Sequence, residues 1–142
     1  GGGTALVVER ADTGETLVRT PVSNGSTVGL EYTHSVEKSR VYDGYTVRNT
    51  ALVMTRMEFE SYGWGLPADA NVTLENGTFV YDPPGAYEMI RVAPGDVANH
   101  TLTVDDRTYD LVERSGGNSV IIRVTRTWIS TSLFDASTDD RN

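Results

Sequence analysis

The segment Val72-Thr73-Leu74-Glu75-Asn76-Gly77-Thr78-Phe79-Val80-Tyr81 constrains the fold of this chain more than any other. Side chains alternate in type on either side of Asn76-Gly77, the dipeptide that best tolerates the positive φ values of a type I′ turn. A two-residue turn fixes the pairing: Glu75 faces Thr78, Leu74 faces Phe79 and Val72 faces Tyr81. Leu74, Phe79, Val72 and Tyr81 then share one face, which is expected to be core.

The same twofold rhythm recurs along the chain. Thr101 to Leu111 reads as a second hairpin around Asp105-Asp106, with Leu102, Val104, Tyr109 and Leu111 on one face and Arg107 beside the turn. Further strands are predicted at Ala5 to Glu9, Thr16 to Arg19, Thr27 to Thr33, Val41 to Val47, Ala51 to Met57, Tyr87 to Val92 and Val120 to Thr127. The run Ser119 to Val124 predicts a central strand buried on both faces. No helical-period stripe, heptad or internal repeat interrupts the pattern. The fold class is therefore all-β: one antiparallel domain over residues 1–134, a sandwich or partly closed barrel of roughly eight to ten short strands. Residues 135–142 form an acidic tail, apolar only at Ala136, and are expected to be disordered.

Composition removes several function classes. The chain has 142 residues and no cysteine, which excludes a disulfide framework, thiolate metal sites and a cysteine nucleophile. A formal charge of −8 is the wrong sign for a nucleic-acid or anionic-lipid surface. Lys38 is the only lysine among the 12 basic residues. Carboxylate excess with so little lysine points to a halophilic source, because concentrated salt screens the self-repulsion of an acidic surface. No apolar run is long enough to span a membrane. The chain opens on Gly1-Gly2-Gly3 without methionine, which fits either a removed targeting segment or trimming of an expressed protein. Four sequons, at Asn24, Asn71, Asn76 and Asn99, favour an exported domain, although two of them are also Asn-Gly turn signals.

Two segments break the alternation. Tyr32-Thr33-His34-Ser35-Val36-Glu37-Lys38-Ser39-Arg40-Val41 holds the lysine and one of two histidines. On a strand, Tyr32, His34 and Val36 would share an apolar face, making His34 either a hydrogen-bonded core histidine or a proton carrier. Ser35 would point the other way, which argues against a serine nucleophile paired with His34. The second segment, Phe59-Glu60-Ser61-Tyr62-Gly63-Trp64-Gly65-Leu66-Pro67-Ala68, predicts a constrained loop in which Tyr62 and Trp64 form an aromatic shelf or Trp64 plugs one end of the core. His34 and His100 match no recognised metal-ligand spacing, and no phosphate-binding loop is present, so no cofactor and no metal are expected.

On His34-Ser35-Val36-Glu37-Lys38-Ser39 with Val41, and on Ser61-Tyr62-Gly63-Trp64-Gly65-Leu66-Pro67, the sequence resembles a family of small uncharacterised exported domains associated with the fused permease of TAXI-type TRAP transporters. It departs from that pattern at Arg40, where proline is usual, at Asp43, where glutamate is usual, and at Trp64, where a small residue is usual. The resemblance implies an extracytoplasmic, non-catalytic binding or accessory module whose partner is a transporter permease or its solute receptor. It implies His34, Glu37, Lys38 and Asp43 as polar site residues, beside Tyr62 and Trp64 from the loop. Two other readings stay open at this point: a hydrolase-like enzyme using His34 as general acid or base assisted by Glu37 or Asp43, and a structural, glycosylated envelope domain.

Overall fold

The computed structural model describes residues 2–36, 38–60, 72–82, 85–95 and 97–128. Short alternating segments separated by glycine, asparagine and aspartate turns give strands β1 (Gly2–Arg10), β2 (Thr16–Val22), β3 (Thr27–Thr33), β4 (Arg40–Arg48), β5 (Ala51–Phe59), β6 (Val72–Glu75), β7 (Thr78–Tyr81), β8 (Ala86–Tyr87), β9 (Met89–Val92), β10 (Thr101–Val104), β11 (Arg107–Asp110) and β12 (Val120–Trp128). One helical turn, α1 (Leu111–Ser115), precedes β12. These twelve strands exceed the expected eight to ten, and one of the additional strands arises because the predicted Tyr87 to Val92 strand is divided between two sheets at Glu88. β8 pairs with β5, and β9 pairs with β12.

The sheets are antiparallel and form a sandwich; they do not close into a barrel. The smaller sheet runs β2-β1-β12-β9 and the larger runs β11-β10-β3-β4-β5-β7-β6, with β8 beside β5. Alternation turns Leu6, Val8, Val18, Val22, Val120, Ile122 and Val124 of the small sheet toward Val28, Leu30, Tyr45, Val47, Leu52, Leu102 and Val104 of the large one, and all of them are buried. The central strand buried on both faces is β1, where Ala5, Leu6, Val7 and Val8 are all at most 4% exposed. β12 instead alternates, because Ile121 and Arg123 lie on its outer side. There the Arg123 guanidinium grips Glu9 through two 3.0 Å hydrogen bonds.

The Asn76-Gly77 hairpin has the predicted register, with both turn residues at positive φ. Its expected core face is only partly covered. Phe79 stacks on buried Phe59, whereas Leu74 on edge strand β6 is 64% exposed. Leu111 is buried as predicted, but as the first residue of α1 rather than as strand. Asp110 caps that turn by accepting from the Val112 and Glu113 amides, and Gly116 at φ 66° ends it. The tail at 135–142 lies outside the described residues.

Candidate functional site

Antiparallel pairing brings three connections to one end of the large sheet. Tyr32 pairs with Val41 and Val41 with Phe59, so the β3–β4 turn leaves the sheet beside the last residues of β5. The segment before β10 joins them, because the Thr33 amide donates to the Ala98 carbonyl at 2.9 Å. The proposed loop residues Tyr62 and Trp64 follow β5 at this end in sequence but lie outside the described residues, as do Glu37 and Asn71.

β3 ends at Thr33, so His34 opens a turn and is not on a strand face. The His34 amide donates to the Ser39 carbonyl and the Lys38 amide donates to the His34 carbonyl, both at 2.8 Å. The Val36 amide donates to His34 Nδ1 at 3.3 Å. Lys38 holds φ 57°, a left-handed conformation that costs an L-residue about 1 kcal/mol. This turn leaves His34 half-buried and Lys38 exposed, and it lifts Val36 to 76% exposure instead of placing it on an apolar face. Because His34 and Ser35 sit in a turn, strand alternation no longer separates their side chains. Val97, on the facing segment, is 54% exposed.

Below the turn, on the outer side of the sheet, Glu31, Tyr32, Thr33, Arg40, Asn99 and Thr101 line a cavity of about 280 Å³. Arg40 is held there by ion pairs to Glu31 and to Glu58, the latter at 3.1 Å. The chain of charges continues from Glu58 to Arg56 at 2.6 Å and from Arg56 to Glu75 at 3.2 Å. Burial pulls the Glu58 carboxyl upward, but the hydrogen bonds from Arg56 and Arg40 outweigh it and hold the group below the usual glutamate range.

Asp43 stands apart from His34 and Lys38. It follows Val41 and precedes Tyr45 on the inter-sheet side of β4, where Tyr32 Oη donates to its Oδ2 at 3.4 Å. Burial, opposed by that hydrogen bond, pushes its carboxyl up to about 6. Tyr32 also stacks on His100 with ring centroids 4.7 Å apart, and burial lowers the His100 pKa. Asp43 Oδ1 and His100 Nδ1 are buried without a hydrogen-bond partner among the described residues. His100 is thus an interior partner of Tyr32 rather than a companion of His34.

Sequence reasoning placed His34 and Lys38 together, and they share one turn. It missed Arg40, Tyr32 and His100, which adjoin the same end. Arg40 opens β4 opposite Thr33, two residues before Tyr42, whose partners on the neighbouring strands are Glu31 and Glu58, so its long side chain reaches both carboxylates diagonally. No local pattern announces the stacking of Tyr32 on His100, because it joins segments far apart in the chain. Of the sequons, Asn24, Asn76 and Asn99 are exposed on turns.

Residues 28–111 match the model of a protein family described as a domain of unknown function, DUF1850. No curated protein and no solved structure matches the chain. The matched span runs from β3 to the first residue of α1 and contains every described residue of this site.

Proposed function

The chain belongs to the DUF1850 family, and from that premise we propose that it is an extracytoplasmic, non-catalytic binding module that docks on a solute transporter through the end of the sheet carrying His34 and Lys38. The observation that carries this reading is the convergence there of two exposed apolar tips, Val36 and Val97, with Lys38, half-buried His34 and the 280 Å³ cavity. Apolar tips ringed by polar groups are the composition of a protein-docking patch. Arg40, already neutralised by two carboxylates, orients the cavity wall rather than supplying free charge.

The resemblance at His34 to Ser39 and at Ser61 to Pro67 supports the fused permease of a TAXI-type TRAP transporter or its solute receptor as the partner, and the carboxylate excess with a single lysine supports a halophilic source. Catalysis has less support. A His34 general base assisted by Asp43 needs both groups on one substrate, whereas Asp43 is engaged by Tyr32 between the sheets. Titration of the protein against the detergent-solubilised cognate permease, and separately against the solute receptor, tests the reading. Saturable binding to one of them, weakened about tenfold or more by Val36→Ser with His34→Ala, is expected. Binding to neither partner, or binding untouched by the double variant, would sink it.

A further inference from the structure

A second cavity, of about 420 Å³, opens at the opposite end of the sandwich and is lined by Gly3, Thr4, Val22, Ser23, Asn24, Asn49, Arg126 and Thr127. Its position follows from register. Thr4 pairs with both Arg126 and Val22, and the inner stripe of β12 reads Val120, Ile122, Val124, Arg126. The inter-sheet core therefore ends in an arginine and a threonine where its rhythm calls for apolar residues. No carboxylate lines the cavity, and Arg126 makes no ion pair among the described residues, although the chain carries 20 acidic side chains. Arg10, Arg40, Arg56, Arg107 and Arg123 each have an acidic neighbour within 4 Å.

Two further polar groups of the lining, on Asn24 and Thr4, are already oriented. The Asn49 amide donates to Asn24 Oδ1 at 2.6 Å, which assigns the Asn24 side-chain NH₂ as the end left to donate. Thr4 Oγ1 donates its hydrogen to the Val22 carbonyl at 2.7 Å, leaving acceptor capacity at that hydroxyl. Arg126 supplies the fork that recognises a carboxylate. The volume falls within the range of small-molecule sites, and Val22 is the one large apolar residue in the lining, which disfavours an apolar ligand.

We propose that this mouth of the inter-sheet core binds a small hydroxylated carboxylate of the sugar-acid class, with the carboxylate on Arg126 and hydroxyls between Thr4 and Asn24. The site is separate from the transporter-docking end and does not depend on it. Glucuronate, glucose and acetate titrated into the full chain and followed by amide chemical shifts test the assignment. Glucuronate is expected to saturate below about 1 mM, with shifts centred on Thr4, Asn24, Asn49 and Arg126, and to bind about tenfold or more tightly than glucose or acetate. Arg126→Gln is expected to remove that preference over glucose, and Thr4→Val to weaken glucuronate and glucose while leaving acetate unchanged. No saturation by about 10 mM glucuronate, equal responses to the three probes, or wild-type affinity in Arg126→Gln would overturn the proposal.

Discussion

At the scale of single residues, Asp43 and His100 set opposing pH dependences on one tyrosine. Asp43 titrates near 6 in the fold against 3.8 as a free side chain, because burial disfavours its charge. Between those values the folded chain binds more protons than the unfolded one, so stability falls as pH rises through the window and the full cost stands above about 6. Asp43→Asn keeps an acceptor for Tyr32 and removes the charge. It is expected to raise the unfolding free energy at pH 7.5 by about 2 kcal/mol and to have little effect at pH 4, as read by urea unfolding at the two pH values. His100 works in the other direction. Its lowered pKa means the unfolded chain binds more protons below about 6.5, so its contribution is lost as pH falls. His100→Phe preserves an aromatic partner for Tyr32 and is expected to flatten the acid side of the stability profile. The alternating pattern made the inner position of Asp43 legible, but its tie to Tyr32 became visible only with the β3–β4 register.

At the scale of elements, the two-residue hairpins were legible because turn chemistry and strand rhythm agree: Asn76-Gly77 fixes Leu74 against Phe79, and Asp105-Asp106 fixes Leu102 against Tyr109. The short helix was not, because five residues carry no periodicity; the only signal was Asp110 three positions before Glu113 with Gly116 beyond. Its caps carry much of its local stability, and Asp110→Ala is expected to lower the denaturant midpoint by the equivalent of about 1 kcal/mol. The strand ends on either side of the β3–β4 turn are legible in the sequence, but a shared apolar face for Tyr32, His34 and Val36 is not what forms, and the left-handed residue that closes the turn gives no glycine signal because it is a lysine. Lys38→Gly relieves that backbone conformation and is expected to stabilise the fold by about 0.5–1 kcal/mol. If the ammonium contributes to docking, the same variant weakens permease binding while thermal unfolding moves upward. Those opposite signs separate charge from conformation.

At the scale of the whole molecule, the sequence rhythm settled the layered all-β class but left sandwich and barrel open. The distinction depends on β9 joining β12 while β8 stays with β5, a switch at Glu88 that no local preference dictates. The charge of −8 acts over the entire surface, whereas the Glu31–Arg40–Glu58–Arg56–Glu75 chain is largely exposed and its pairs contribute at most about 1 kcal/mol each. Salt weakens both, and adaptation to salt requires that relief of the self-repulsion outweigh the loss of the ion pairs. The unfolding temperature measured by circular dichroism is expected to rise from dilute buffer to concentrated sodium chloride, and an unchanged temperature would count against adaptation to salt. The docking reading is most directly tested by hydrogen exchange of the full chain with and without the cognate permease. Slowed exchange is expected at residues 34–40 and 97–101, with the edge of β2 unaffected. Protection elsewhere with none at these two segments, or no protection by the permease or by the solute receptor, would contradict it.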